Sequence, residues 1–209
     1  EMLRSLVGSE MCIRDRIIIH IHDAHGIDPT SIQLLVDTTI YTMETSRWLQ
    51  LIGDSLIVFS PPAGFYHTWD TIHVELISAN DSWGAPLQDT LIWDFYVDYA
   101  PPVFYNMTPP ESTIIFLPTT DIYINVFDSI AGADSSSLVM TINGEEVEPE
   151  IILDRDGSWR LHYLPTDPLC PPDSGGCTVE VCVYAGDLPD YCGPNDTTFC
   201  WTFDIILSG

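Results

Sequence analysis

A chain of 209 residues with 31 acidic side chains against six basic ones, a net charge of −25, disfavours nucleic acid and anionic membrane surfaces as partners. Its 45% apolar and 11% aromatic content exceeds that of a disordered acidic tail, so packed cores are expected. No apolar run approaches the ~20 residues of a membrane-spanning helix, and the length suits one large domain or two of about 100 residues.

Residues 1–16, EMLRSLVGSEMCIRDR, hold Arg4, Arg14 and Arg16. The rest of the chain sets 28 acids against Arg47, Arg155 and Arg160. This break in charge, together with the broken repeat described below, predicts that residues 1–16 are a foreign or artefactual segment; the competing reading is a divergent N-terminal strand, LRSLV, with a polar loop. SLVGSEMCIRDR resembles the translation of a sequencing-adapter read. Both ends of the chain read as cut, which predicts a piece of something longer.

From Ile17 onward short apolar–polar alternations follow one another, separated by Gly, Pro, Asn and Asp. IIIHIHD (17–23), SIQLLVD (31–37), IVFSPP (57–62), DTIHVELISAND (70–81) and LIWDFYVD (91–98) each carry the period-2 pattern or β-branched richness of a strand. The same five segments recur in order: IYINVFD (122–128), SSLVMTIN (136–143), LHYLPT (161–166), GCTVEVCVYAGD (176–187) and FCWTFDII (199–206). The offsets lie between 104 and 108. Trp93 falls on Trp201, and Phe95 on Phe203. Five matched segments in one order predict a duplicated unit.

The second copy starts at the Pro-Pro of DYAPPVF (98–104), a stiff extended join because proline fixes φ and restricts its neighbour. VFYNMTPPESTIIF then supplies a lead-in strand with no counterpart before Ile17. The prediction is an all-β chain of two tandem β-sandwiches: residues 17–99, lacking the N-terminal strand, and residues 100–209, complete.

The order IxIxVxD, AGxD, SSLxMxING, TVxVxVxAxD, WxF, with the Pro-Pro join after Asp98, resembles bacterial Ig-like surface repeats, cadherin-like or fibronectin-III-like in outline. The resemblance covers residues 17–209. It implies a non-catalytic structural or adhesive module of a large extracellular or cell-surface microbial protein: a spacer, a stalk or part of a surface filament. Neighbouring Ig-like domains are the implied partners, with glycans or cell-surface ligands as further ones. The rival is a sugar-binding module of a secreted hydrolase that uses Trp48, Trp69, Trp83 and Tyr191 as stacking platforms; the competing role for these aromatics is to cover an interface.

The resemblance also implies calcium. Asp23 and Asp28 flank one loop, Asp128 and Asp134 flank its copy, Asp81 and Asp187 end a later strand in each unit, and Asp98 sits at the join. Hard cations take several oxygen ligands at once; Asp and Asn in loops also serve as turn formers. His20 and His22 share one face of a strand, as zinc ligands could, but their copies are Asn125 and Phe127, and no third ligand is evident. His25, His67, His73 and His162 complete the histidines.

Apart from Cys12, every cysteine lies in the second copy. No CxxC spacing suggests zinc or redox chemistry. Cys170 and Cys177 bracket CPPDSGGC and could close that loop. If Ala185 faces Thr197, Cys182 faces Cys200 on the outward side; Cys192–Cys200 is the competing pair. Such bridges imply an oxidising, extracellular setting. The triplets NDS (80–82), NMT (106–108) and NDT (195–197) match glycosylation sequons. No GxSxG, HExxH or phosphate-binding glycine loop is present, and no enzyme activity is expected.

Overall fold

The structure, a computed structural model, describes residues 3–5, 16–171, 173–188 and 193–207. The chain divides into two compact units, one ending at Tyr99 and the next beginning at Ala100. Among the described residues the fold is all-β apart from a 3-10 turn at Pro29–Ser31.

The first unit contains β1 (Leu3–Ser5), β2 (Ile17–His22), β3 (Gln33–Val36), β4 (Thr39–Thr42), β5 (Leu49–Ile52), β6 (Leu56–Phe59), β7 (Thr71–Ser78) and β8 (Leu91–Tyr96). They form two sheets, ordered β1-β2-β6-β5 and β4-β3-β7-β8. The alternation read from the sequence decides which side chains turn inward. Ile17, Ile19 and Ile21 of β2 meet Leu34 and Val36 of β3 and Ile72, Val74 and Leu76 of β7 in one core. Each fully buried side chain of this kind contributes about 1.5–3 kcal/mol. One end of the core is aromatic, with Tyr41, Trp48, Phe59, Phe65, Tyr66 and Phe95 in tilted or edge-to-face contact.

The second unit contains β9 (Val103–Thr108), β10 (Ile114–Ile115), β11 (Ile122–Phe127), β12 (Val139–Ile142), β13 (Glu145–Val147), β14 (Glu150–Leu153), β15 (Trp159–Tyr163), β16 (Gly176–Gly186) and β17 (Asp196–Ile206). Its sheets are β14-β15-β11-β9 and β10-β17-β16-β12-β13. This is the Ig arrangement, with the A, B, E and D strands on one side and C, F and G on the other. Asn143 and Gly144, with φ of 50° and 83°, make the two-residue turn between β12 and β13, a left-handed pair that suits Asn-Gly. Trp201, Phe203 and Ile205 of β17 pack with Val179, Val181 and Val183 of β16 and Ile122, Ile124 and Val126 of β11.

Two details revise the sequence reading. The first unit does not entirely lack a strand before Ile17, because Leu3–Ser5 pairs antiparallel with β2. The pair falls within LRSLV, the strand of the competing reading, and backbone pairing needs no particular side chains. The missing counterpart is narrower: β10 pairs parallel with β17, and among the described residues β8 has no such partner. The second detail is a bulge. Gln33 pairs with Ser78 while Leu34 pairs with Leu76, which makes Ile77 the extra residue in β7. Ungapped matching of 70–81 to 176–187 therefore gives the wrong inward–outward parity before the bulge. With the bulge counted, the Glu75–Ile92 cross-strand pair of the first unit corresponds to Cys182–Cys200 of the second.

Both described disulfides are in the second unit. Cys170–Cys177 closes its loop with Cα atoms 5.6 Å apart, and Cys182–Cys200 joins β16 to β17 at 4.1 Å. Ala185 pairs with Thr197 in the same ladder. Cys182 and Cys200 lie on the outward side, alternating with buried Val181, Val183 and Trp201. Cys12 and Cys192, and with it the alternative pair Cys192–Cys200, lie outside the described residues.

Candidate functional site

In each unit the loop after the second core strand meets the segment that follows the long β7 or β16 strand. In the first unit an isolated bridge between Ile27 and Asp81 pins the two segments. Asp28 N–H donates to Asn80 O at 2.9 Å, and Asn80 N–H donates to Ser31 Oγ at 2.7 Å. The copy repeats this: Ala133 bridges Asp187, Asp134 N–H donates to Gly186 O at 2.9 Å, and Gly186 N–H donates to Ser137 Oγ at 2.8 Å. Short Ser and Asp residues are used here because their side chains replace the backbone partners that a loop lacks.

Asp23, His25 and Asp81 come together, with one ligand-capable atom of each within 4.8 Å of the others. The Asp23 and Asp81 side chains are only 8% and 6% exposed. His25 Nδ1 lies 3.3 Å from Asp23 Oδ1 and 3.5 Å from Asp81 Oδ2. Asp23 Oδ1 accepts from His25 N–H at 2.8 Å, while Asp81 Oδ1 accepts from the N–H groups of Trp83 and Ala85 at 2.9 and 2.6 Å. The hydrogen bond from the His25 N–H holds the Asp23 carboxyl below its ordinary value, against the opposing effect of burial. Trp83 stacks on the His25 ring, with centroids 3.7 Å apart.

In the second unit Asp128 and Asp187 are neighbours in the same way, with carboxylate oxygens within 4.8 Å. Asp128 Oδ1 accepts from Ile130 and Gly132 N–H at 3.0 and 2.8 Å, and Asp187 accepts from Asn195 N–H at 2.7 Å and from its side-chain amide at 2.6 Å. Ile130 stands where the first unit has His25.

Two other aspartates are placed differently. Asp28 and Asp134 cap their own turns: Asp28 Oδ1 accepts from Thr30 N–H and its hydroxyl, and Asp134 Oδ1 from Ser136 N–H and its hydroxyl. Asp98, half-buried between Val97 and Tyr99, is next to the last residue of the first unit. Calcium takes six to eight oxygen ligands. The first unit offers two carboxylates and an imidazole, a mixed set better suited to a borderline cation than to calcium. The second unit offers two carboxylates.

His20 and His22 are exposed on the outward face of β2 and join no ligand cluster among the described residues. Trp48 is no stacking platform: it packs against the first core beside Phe59 and Phe65. Trp69 and Trp83 are 66% and 79% exposed. Tyr191 lies outside the described residues. Sequence reasoning counted His25 without pairing it with Asp23 and Asp81, because its second-unit counterpart is not a histidine. It also passed over a polar network around Asn125, Asp154, Asp156 and Arg160.

No family model and no curated protein matches this chain. Among solved structures it is similar to the fibronectin(III)-like modules of Clostridium thermocellum CbhA at 13% identity and TM-score 0.41, covering all of this chain and 94% of that one. It is also similar to Rst D1-D2 at 11% identity and TM-score 0.39, covering 94% and 93% of the two chains. Drosophila N-cadherin EC1-4 matches at 12% identity and TM-score 0.38, over 93% of this chain and 44% of that one. Scores at this level carry no argument of their own, and the Ig-like sandwich stands on the strand order described above.

Proposed function

We propose that the chain is a non-catalytic structural repeat module of a large extracellular or cell-surface microbial protein, working as a spacer or adhesive stalk. The observation that carries this reading is the duplication itself: β2 to β8 of the first unit and β11 to β17 of the second follow one strand order, each around its own core. Repetition of a self-sufficient unit lengthens a protein without changing its chemistry. The two disulfides support an oxidising location, since such bridges persist outside the cytosol. Antibody labelling of intact producing cells tests the reading: staining without permeabilisation is expected, and staining only after lysis refutes it.

Calcium belongs to the same proposal, with Asp128 and Asp187 as its ligands in the second unit. Calorimetric titration with calcium checks it, and no heat at millimolar concentration removes calcium from the account.

A further inference from the structure

The outward face of the β14-β15-β11-β9 sheet in the second unit is not flat. It contains a cavity of about 420 Å³ whose walls include Asn106, Tyr123, Asn125, Asp154, Asp156 and Arg160. The hollow follows from the backbone. Tyr123 pairs with Thr108 but Asn125 with Tyr105, so β9 holds one residue more than β11 over this stretch. Asn106 sits in that bulge with φ of 54°, a conformation that asparagine tolerates better than most residues. Bulges bend a strand and re-aim its side chains.

At the floor is Asn125, only 5% exposed on an otherwise apolar strand. Its amide nitrogen donates to Asp154 Oδ2 at 2.8 Å and to Ser158 Oγ at 2.9 Å. Its carbonyl oxygen accepts no hydrogen bond among the described residues, and the residue lines the cavity. An acceptor so placed calls for a donor from a ligand or from water.

The walls also limit what that ligand can be. Asp154 Oδ1 is held by Arg160 at 3.0 Å, and Asp154 Oδ2 by Asn125. Asp156 Oδ1 accepts from Ser158 N–H and hydroxyl at 3.1 and 2.7 Å, and Asp156 Oδ2 from the Tyr105 hydroxyl at 3.0 Å. Every carboxylate oxygen thus already has a donor, and the Arg160 guanidinium among them disfavours a cation. Two carboxylates against one guanidinium repel an anion. What remains is a mixture of donors and acceptors: the Asn125 carbonyl, the Asn106 amide, the Thr108 hydroxyl and the other Arg160 N–H groups. Tyr123, half-buried, also lines the cavity.

We propose that this cavity binds a neutral saccharide, with Asn125 as the buried acceptor, Arg160 and Asn106 as hydroxyl partners and Tyr123 as the ring against which the sugar lies. A polyol both donates and accepts, carries no charge for the two carboxylates to repel, and presents C–H faces to an aromatic side chain. The site is independent of a spacer role, which neither requires nor forbids it.

The test uses the full recombinant chain, isotope-labelled, titrated with neutral oligosaccharides of glucose, xylose, mannose and N-acetylglucosamine up to about 10 mM. At least one should shift the amide resonances of residues 106–108, 123–125 and 154–160. Tyr123→Ala and Asn106→Gly should each weaken binding about tenfold or more in protein whose dispersed amide spectrum shows it folded; glycine keeps the positive φ at position 106. Trp69→Ala should leave the affinity as it was. No shift with any sugar, or binding lost in Trp69→Ala and kept in Tyr123→Ala, overturns the assignment. So does tighter occupancy of the same resonances by inorganic phosphate or calcium.

Discussion

The indole nitrogen of Trp201 donates to the carbonyl oxygen of Pro109 at 2.9 Å. The lead-in of the second unit thus supplies the hydrogen bond that a tryptophan 1% exposed requires. Trp93, its copy in the first unit, is only half-buried. Trp201→Phe should therefore cost the second unit about 2–3 kcal/mol through lost packing and an unpaired Pro109 carbonyl. Trp93→Phe should cost the first unit less than about 1 kcal/mol. Calorimetric unfolding of the two variants checks this; equal losses would show that the lead-in contributes nothing.

Tyr66 presents the reverse case. It is 2% exposed, packs edge-on against Phe65 and Phe95, and its hydroxyl has no partner among the described residues. Burial pushes its phenol well above the ordinary value. Removing an unsatisfied hydroxyl while keeping the ring should stabilise. Tyr66→Phe is expected to raise the stability of the first unit by about 0.5–2 kcal/mol in denaturant titration. A loss would reveal a partner for the hydroxyl.

The Cys182–Cys200 bridge occupies the outward site where the first unit carries Glu75 opposite Ile92, so the fold does not depend on it. Replacing both cysteines with alanine should leave the second unit folded and less stable by about 2–3 kcal/mol. Cys170 is 2% exposed, so replacing the Cys170–Cys177 pair removes core packing as well and should cost more. Alkylation of the native chain without reductant, followed by mass spectrometry, should find all four thiols blocked.

Asp156 supplies a pH signature. The Ser158 hydroxyl, then the Ser158 N–H and the Tyr105 hydroxyl, hold its carboxyl below the ordinary 3.8. A carboxyl depressed in the folded state adds stability above its unfolded value, and that stability is lost as pH falls through the folded value. The advantage of the wild type over Asp156→Asn should thus be complete above about pH 5 and shrink below 3.8. Tyr105→Phe should move the Asp156 titration, followed by NMR, back toward the ordinary value; an unmoved curve would remove Tyr105 from the network.

The fold was readable in the sequence because period-2 alternation is local: Ile17, Ile19 and Ile21 announce their inward face without reference to anything distant. The duplication strengthened it, since Trp93 and Phe95 fix where Trp201 and Phe203 belong. Features that depend on register were not readable. The bulge at Ile77 leaves no mark in composition, yet it changes which residue pairs with Ile92. The cavity network joins Asn125 to Asp154 and Tyr105 to Asp156 across 29 and 51 positions, distances at which residue types alone predict nothing. Pairwise matching of the copies also hid His25, because it favours what the units share.

The parallel pairing of Ile114 with Asp204 and Ile115 with Ile205 gives the second unit a mechanical property. These segments lie near opposite ends of the unit's chain, so tension applied at the two ends drags them past one another. Their hydrogen bonds are loaded together in shear, whereas an antiparallel hairpin opened from its ends breaks one bond at a time. Forced unfolding is governed by the rate of crossing that barrier and not by equilibrium stability. Pulled from its two ends, the second unit should therefore resist unfolding more strongly than its equilibrium stability alone implies.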